Sequence, residues 1–222
     1  MSEHIVKILE SNYITHDVKR FVIERPAGYE FIPGQATDVS INLPEWKNEL
    51  RPFTFTGLPD AEHLEFTIKI YNDHAGVTSM LGKTNSGAEL ILHDVFGAIQ
   101  YKEPGVFIAG GAGVTPFIAI LRYLNTHHKI DGNKLIFSNK TSADVILEQE
   151  FKTMLKNNFI SILTREHVIG YLGKRIDRDY LIEKVSDFSQ HFYVCGPDEF
   201  VKGIKSLLLS LGAKADSLVF EQ

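Results

Sequence analysis

Cysteine is nearly missing from this chain of 222 residues: it occurs once, as Cys195. One thiol makes no intrachain disulfide and supplies no thiolate set for zinc or an iron–sulfur cluster. The nine histidines include no pair three or four residues apart, so a helical metal site has no support and no metal is expected. An excess of positive charge is missing too. With 23 Lys and Arg against 28 Asp and Glu, the formal net charge is −5, which argues against a nucleic-acid footprint on the chain as a whole. The opening residues "MSEHIVKILE" show no basic flank followed by a long apolar core, the pattern of a secretion signal. No apolar run approaches membrane-spanning length without an interrupting Gly or Pro. Neither Gly-x-Ser-x-Gly nor His-Glu-x-x-His occurs, so no nucleophile elbow or zinc-protease helix is drawn. The expectation is a cytoplasmic protein without membrane insertion or nucleic-acid partner, acting as a monomer.

What is present is 44% hydrophobic residues, enough for a sizeable core, arranged in two rhythms. "IVKILE", "VKRFVIERP", "ATDVSINL", "PFTFTG" and "LEFTIKIY" alternate in part and are rich in β-branched and aromatic residues. Gly, Pro and Asn cluster between them, as in "PAGYEFIPGQ" and "NLPEWKNEL". This spacing predicts a small antiparallel barrel or sandwich over residues 1–101. Beyond "YKEP" (Tyr101 to Pro104) the rhythm changes. "GVFIAG", "KLIFSN", "FISIL" and "HFYVCG" read as buried strands, separated by helical segments such as "PFIAILRYLNTHH" and "PDEFVKGIKSLLLSLG". In the last of these Phe200, Ile204, Leu207, Leu208 and Leu211 fall on one face. Strands alternating with helices predict a parallel-sheet α/β domain over residues 102–222.

The junction "VFIAGGAGVTPFIAIL" holds glycines and a proline inside an apolar run. Gly110, Gly111 and Gly113 are expected to fill a strand–helix turn, with Thr115 as N-cap and Pro116 at the first helical position, where its missing N–H costs nothing. Such a turn presents free N–H groups and a positive dipole end, which suits a pyrophosphate. A tight turn with no ligand fits the local sequence equally well. Pro116 also stands where the third glycine of the ordinary dinucleotide fingerprint belongs.

"RPFTFTG" (Arg51 to Gly57), "GGAGVTP" (Gly110 to Pro116) and "YVCGPDEF" (Tyr193 to Phe200), with "PGQ" (Pro33 to Gln35) upstream, follow one another in order and at fitting spacing. Together they resemble the ferredoxin–NADP reductase family, in which an FAD-binding barrel precedes a nucleotide-binding α/β domain. The resemblance covers essentially the whole chain. It implies that Arg51, Pro52, Phe53 and Thr54 stand for the family's Arg-x-Tyr-Ser flavin motif, with Phe for Tyr and Thr for Ser. Arg51 would face the FAD pyrophosphate, Phe53 would stack on the isoalloxazine, and the Thr54 hydroxyl would sit near flavin N5. "IKIYNDHAGVTSML" resembles the second flavin segment, implying FAD contacts from Lys69, Tyr71, Gly76, Val77 and Thr78.

In the second domain the resemblance implies that Gly111, Gly113 and Thr115 cradle a pyridine nucleotide, with Gly196 and Pro197 beside it. Cys195 would lie near the hydride path, and Glu221 would be a catalytic carboxylate close to the C-terminus. Only Gln222 follows Glu221, where plant-type members carry an aromatic residue, so the flavin face would be open unless Phe220 or another ring covers it. The strand "KLIFSNK" ends in Asn139 and Lys140, without the acid that often marks NAD selection. Arg165 and Arg175 resemble the Ser-Arg and Gly-Arg-Ile elements that hold a 2′-phosphate, although Lys174 is inserted before Arg175 and Glu166 adds a negative charge. The resulting expectation is an enzyme with FAD and NADP(H) as cofactors. It would take hydride from NADPH and pass single electrons to a separate carrier, ferredoxin or flavodoxin. A reductase component of a multicomponent oxygenase, a free-flavin or ferric reductase, and a non-catalytic nucleotide-binding regulatory subunit remain open alternatives.

Overall fold

Short alternating segments in the first half of the chain become six strands: β1 (His4–Tyr13), β2 (Val18–Ile23), β3 (Ala36–Ile41), β4 (Arg51–Thr54), β5 (Leu64–Lys69) and β6 (Glu89–Phe96). The computed structural model describes residues 3–220 except positions 74, 98, 170, 172 and 174 and the side chain at 220. Its chain divides into two units, Met1–Gly97 with Thr115–Tyr123, and Ala98–Val114 with Leu124–Gln222.

In the first unit all strand pairs are antiparallel, in the order β4-β3-β6-β1-β2-β5. The two edges meet: Phe55 bridges to Phe66, and Thr56 N donates to the Glu65 carbonyl at 2.8 Å. That closure turns the sheet into a barrel and removes its open edges. Alternation fills the interior with Phe21 and Ile23 of β2, Val39 and Ile41 of β3, Leu64, Phe66 and Ile68 of β5, and Leu90 and Leu92 of β6. Strand β6 is absent from the segments predicted above. It buries Leu90, Ile91, Leu92 and His93 in succession, so its sequence lacks the period of two that marks a half-exposed strand. Helix α1 (Val77–Lys83) follows β5 and inserts Val77 and Leu81 into the core.

The second unit holds β7 (Gly105–Gly110), β8 (Lys134–Asn139), β9 (Phe159–Leu163), β10 (His191–Cys195) and β11 (Leu218–Phe220), all parallel, in the order β11-β10-β7-β8-β9. Strand β7 is buried along its whole length, as the central position requires. Helices α3 (Glu148–Leu155), α4 (Arg178–Lys184) and α5 (Asp198–Ser210) lie between strands. Tyr180 and Leu181 of α4 and Ile204 and Leu208 of α5 pack with Val106, Ile108, Ile136 and Phe192. The three-residue β11 offered too short a pattern to be read from sequence. Strand order reverses at β7, which has β8 on one side and β10 on the other, so their C-terminal ends flank the position where such sheets bind ligands.

One local expectation is corrected. Gly110 is the last residue of β7, and Gly111–Val114 form a 3-10 turn that runs straight into helix α2 (Thr115–Thr126). Thr115 is therefore the first helical residue, not a cap. The turn winds in the same sense as the helix and leaves no extended residue between them to act as one. Pro116 still falls in the first turn, where its missing N–H breaks no intrahelical bond.

Candidate functional site

On the barrel, β4 presents Arg51 and Pro52 exposed and Phe53 and Thr54 partly buried. Arg51 is exposed, and its Nη1 donates to the Leu50 carbonyl at 2.6 Å. Strand alternation puts Arg51 and Phe53 on one face and Pro52 and Thr54 on the other. Phe53 leans on Phe66 with ring centroids 6.4 Å apart, and Thr54 lies opposite Ala36 of β3.

The second predicted flavin segment is spread along β5 and α1. Lys69 Nζ is ion-paired to Asp17 Oδ2 at 2.7 Å. Burial pushes the Asp17 carboxyl up, but the hydrogen bond and charge of Lys69, with smaller contributions from His16 and Thr15, hold it below the usual range. Tyr71 is 45% exposed just past the strand. Gly76 stands at the N-cap of α1 with extended backbone, Val77 is buried, and the first turn carries no acidic residue that would oppose an anion.

The sequence reading missed a polar cluster in the same unit. Glu65 faces away from the barrel interior on β5 and is only 8% exposed. Its Oε1 accepts from Arg122 Nη1 of α2 at 2.6 Å and from Thr56 Oγ1 at 2.8 Å, and its Oε2 from Arg20 Nε at 2.7 Å. Arg122 Nη1 also donates to the Thr56 carbonyl at 2.8 Å. Burial pushes the Glu65 carboxyl up. The Arg122 charge and the hydrogen bonds from Arg122, Arg20 and Thr56 outweigh that and hold it below the ordinary glutamate range. Glu65 alternates with core residues in "LEFTIK", and that alternation was the only sequence signal for it.

In the second unit the predicted glycines separate by task. Gly111 has φ of +53°, and a Cβ placed there would meet open space. Gly113 is the opposite case: a Cβ would lie 2.5 Å from the backbone of Cys195 and from Gly196 Cα. Gly113 is therefore a close-approach glycine, pressed against the Cys195–Pro197 turn. Gly196, with φ of +157°, comes similarly close, its hypothetical Cβ 3.2 Å from Gly110 Cα. The turns after β7 and β10 thus meet backbone to backbone, with Cys195 buried at the end of β10 and Pro197 at the N-cap of α5.

At the neighbouring strand ends, Lys140 and Arg165 are exposed and joined through backbone, Arg165 N donating to the Lys140 carbonyl at 2.9 Å. Arg175 is also exposed. The Glu166 carboxylate accepts from Ser142 N at 2.6 Å and Ser142 Oγ at 2.9 Å, so it serves the turn after β8. Glu221 and Lys174 lie outside the described residues.

Residues 107–206 match the model of the oxidoreductase NAD-binding domain family. Over 211 residues the chain is 26% identical to the reductase component of propane 2-monooxygenase from Rhodococcus jostii (strain RHA1), a match covering 89% of this chain and 56% of the relative. It is 26% identical over 239 residues to NADH-cytochrome b5 reductase 2 of Mycosarcoma maydis, covering 91% of this chain and 68% of the relative. A crystal structure of a ferredoxin NADP+ reductase from Neisseria gonorrhoeae with bound FAD and NADP shares the fold. Its TM-score is 0.87 at 22% identity, covering 100% of this chain and 98% of that one. These likenesses agree with the resemblance to the ferredoxin–NADP reductase family that the sequence motifs carry, and the family model itself spans residues 107–206 of the second unit.

Proposed function

We propose that this chain is an NAD(P)H-dependent flavin reductase that delivers electrons to a separate carrier. The observation that carries the reading is the pair of glycine turns at the β7 and β10 ends, on a sheet whose order reverses there, in a chain that also carries a closed barrel with an exposed arginine on β4. In this reading residues 1–101 bind FAD and residues 102–222 bind the pyridine nucleotide. The residues present suit both groups. An exposed guanidinium fork matches phosphate oxygens, and the left-handed Gly111 leaves room for a ligand to approach backbone N–H groups.

Bound FAD would supply the redox chemistry, taking a hydride and releasing single electrons. The chain's own part is placement. Arg51 and the Gly76–Thr78 backbone hold the flavin phosphates, Phe53 offers a ring face, and Thr54 offers a hydroxyl beside the reacting ring. Gly111, Thr115, Gly196 and Pro197 hold the nucleotide, Gly113 holds the turn in shape, and Cys195 lines the hydride path. Lys140, Arg165 and Arg175 favour NADPH by supplying cations for a 2′-phosphate. Lys69, already paired to Asp17, and Tyr71 take supporting roles, and Glu221 is assigned the terminal carboxylate of the family.

Ferredoxin or flavodoxin is the proposed acceptor. An oxygenase component is the second candidate, favoured by the likeness to a propane 2-monooxygenase reductase component. Stopped-flow reduction of the purified yellow protein by NADPH and NADH, followed by reoxidation with each carrier, tests the whole reading. A colourless protein that takes up no FAD, or a flavin that neither nucleotide bleaches, would sink it.

A further inference from the structure

Helix α2 is apolar almost all round: Phe117, Ile118, Ala119, Ile120, Leu121 and Leu124 are each 2% exposed or less. Apolar contact holds such a helix in the core, but it is non-directional and sets neither the rotation of the helix nor its register. Arg122 is the one charged residue in the helix sequence. Its Nη1 donates to the Glu65 carboxylate of β5 at 2.6 Å and to the Thr56 carbonyl at 2.8 Å, and both side chains of the ion pair are largely buried. Glu65 is held from its other oxygen by Arg20 of β2 at 2.7 Å. Directional bonds in a buried setting fix a position that apolar contact alone leaves free.

The position so fixed matters at both ends of the contact. Thr115 opens α2, seven residues before Arg122. Seven residues are two turns, so the two side chains lie on one side of the helix, about 10 Å apart along its axis. Thr115 continues the Gly111–Val114 turn on which the nucleotide is proposed to sit, and Thr115–Tyr123 belong to the same compact unit as the barrel. On the barrel, the gripped Thr56 carbonyl lies two residues beyond Thr54, which ends β4 and is proposed to face the flavin. Arg122 therefore ties the helix face that begins with Thr115 to the segment that begins with Thr54.

We infer that Arg122, braced by Glu65, is a positioning residue for hydride transfer: it sets the rotation and register of α2, and with them the placement of Thr115 against the barrel. The inference rests on the flavin reductase reading above. In the step concerned the C4–H bond of the reduced nicotinamide breaks, the hydrogen passes with both electrons to flavin N5, and the oxidised nicotinamide is left. Such a transfer is sensitive to placement, because a displacement of about 1 Å can cost on the order of a hundred-fold in rate.

The test is single-turnover reduction of the FAD-loaded full chain by saturating NADPH or NADH, whichever reduces wild type faster. Affinity for the matching oxidised nucleotide is measured by calorimetry. Wild type is compared with Arg122→Gln, Arg122→Lys and a control loosened elsewhere in the barrel core, Ile23→Val. The rate constant belongs to molecules that hold flavin, so a lower melting temperature alone does not change it. Arg122→Gln should reduce its flavin about ten- to a hundred-fold more slowly, with nucleotide affinity unchanged. Deuterium at the transferred position of the nucleotide should slow this variant at least as much as it slows wild type. Arg122→Lys should recover most of the rate, since both bonds run from a single nitrogen that an ammonium can replace. The control should match wild type. A wild-type rate in Arg122→Gln overturns the inference, and so does a control slowed equally, which marks general loosening. If Arg122→Gln holds no FAD, Glu65→Asp decides, because it keeps both charges and shortens the bridge by one methylene. That variant should be slower by about three-fold or more, and a wild-type rate in it overturns the inference. A wild-type flavin that neither NADPH nor NADH reduces overturns the flavin reductase reading itself, and that is seen before any variant is made.

Discussion

Arg51 and Glu65 lie on β4 and β5 of one barrel and show how differently a charge behaves in and out of water. Arg51 is solvated and projects from its strand, so its loss should leave the fold intact and cost ligand. Arg51→Ala is expected to weaken FAD retention by about 1.5–3 kcal/mol, the worth of a charge-assisted hydrogen bond. Flavin absorbance after gel filtration and dilution measures it directly, and a variant that keeps all its FAD removes Arg51 from the site. Glu65 is buried between two guanidinium groups, so its loss should damage the protein itself. Glu65→Gln leaves Arg122 without its charge partner, and a cost of roughly 3–5 kcal/mol is expected in urea unfolding at neutral pH. The sign with acid follows from the depressed carboxyl. Its stabilisation is complete above the unfolded glutamate value and disappears as pH falls through the lower folded one. Wild type should therefore lose stability below about pH 4, and the variant should lose less over the same range. The motif residue Arg51 was legible in sequence because its neighbours are fixed in order. Glu65 was not, because its partners Arg20 and Arg122 lie 45 and 57 positions away.

Among elements, the most informative are the turns after β7 and β10. The sequence shows two glycine-rich turns, but nothing in it says which glycine serves a ligand and which serves the other turn. Geometry divides them: Gly111 is left-handed and open, and Gly113 is crowded by the backbone at Cys195 and Gly196. Gly113→Ala forces backbone apart and should destabilise by about 1–3 kcal/mol through overpacking. Gly111→Ala meets no clash and should cost about 1–2 kcal/mol through its left-handed backbone alone. The two are told apart by nucleotide affinity measured on variants that remain folded. Gly113→Ala should weaken it by displacing the turn, and second-site relief at Cys195 does not restore it, since the clash is with backbone. Equal melting temperatures for wild type and Gly113→Ala would contradict the close approach. Strand β6 is the complementary case. Its run "ELILHDVF" carries no strand signal because Leu90, Ile91, Leu92 and His93 are buried in succession, and a strand covered on both faces loses the alternation by which strands are recognised.

Across the whole molecule, the choice between nucleotides is the property that most needs several elements at once. Lys140 and Arg165 come from the ends of β8 and β9 and are tied through one backbone hydrogen bond, while Glu166 is occupied by Ser142. Arg165→Ala is expected to raise the KM for NADPH by an amount worth about 1.5–3 kcal/mol and to leave that for NADH nearly unchanged. Steady-state kinetics with both nucleotides decide it, and a wild type that uses NADH equally well refutes the preference. Among the described residues no helix is long and apolar enough to cross a membrane. Sequence by itself determined the two-part architecture, because period-two and buried-strand patterns are local consequences of which side of a strand meets the core. It also carried the family resemblance, because short motifs in fixed order survive as text. Only tertiary structure decided that the barrel closes through Phe55 and Phe66, that Glu65 is locked between Arg20 and Arg122, and that the buried Asn139 side chain has no hydrogen-bond partner among the described residues. Each of those depends on segments far apart in the chain, or on what surrounds a side chain in space, and neither is written in the residues beside it.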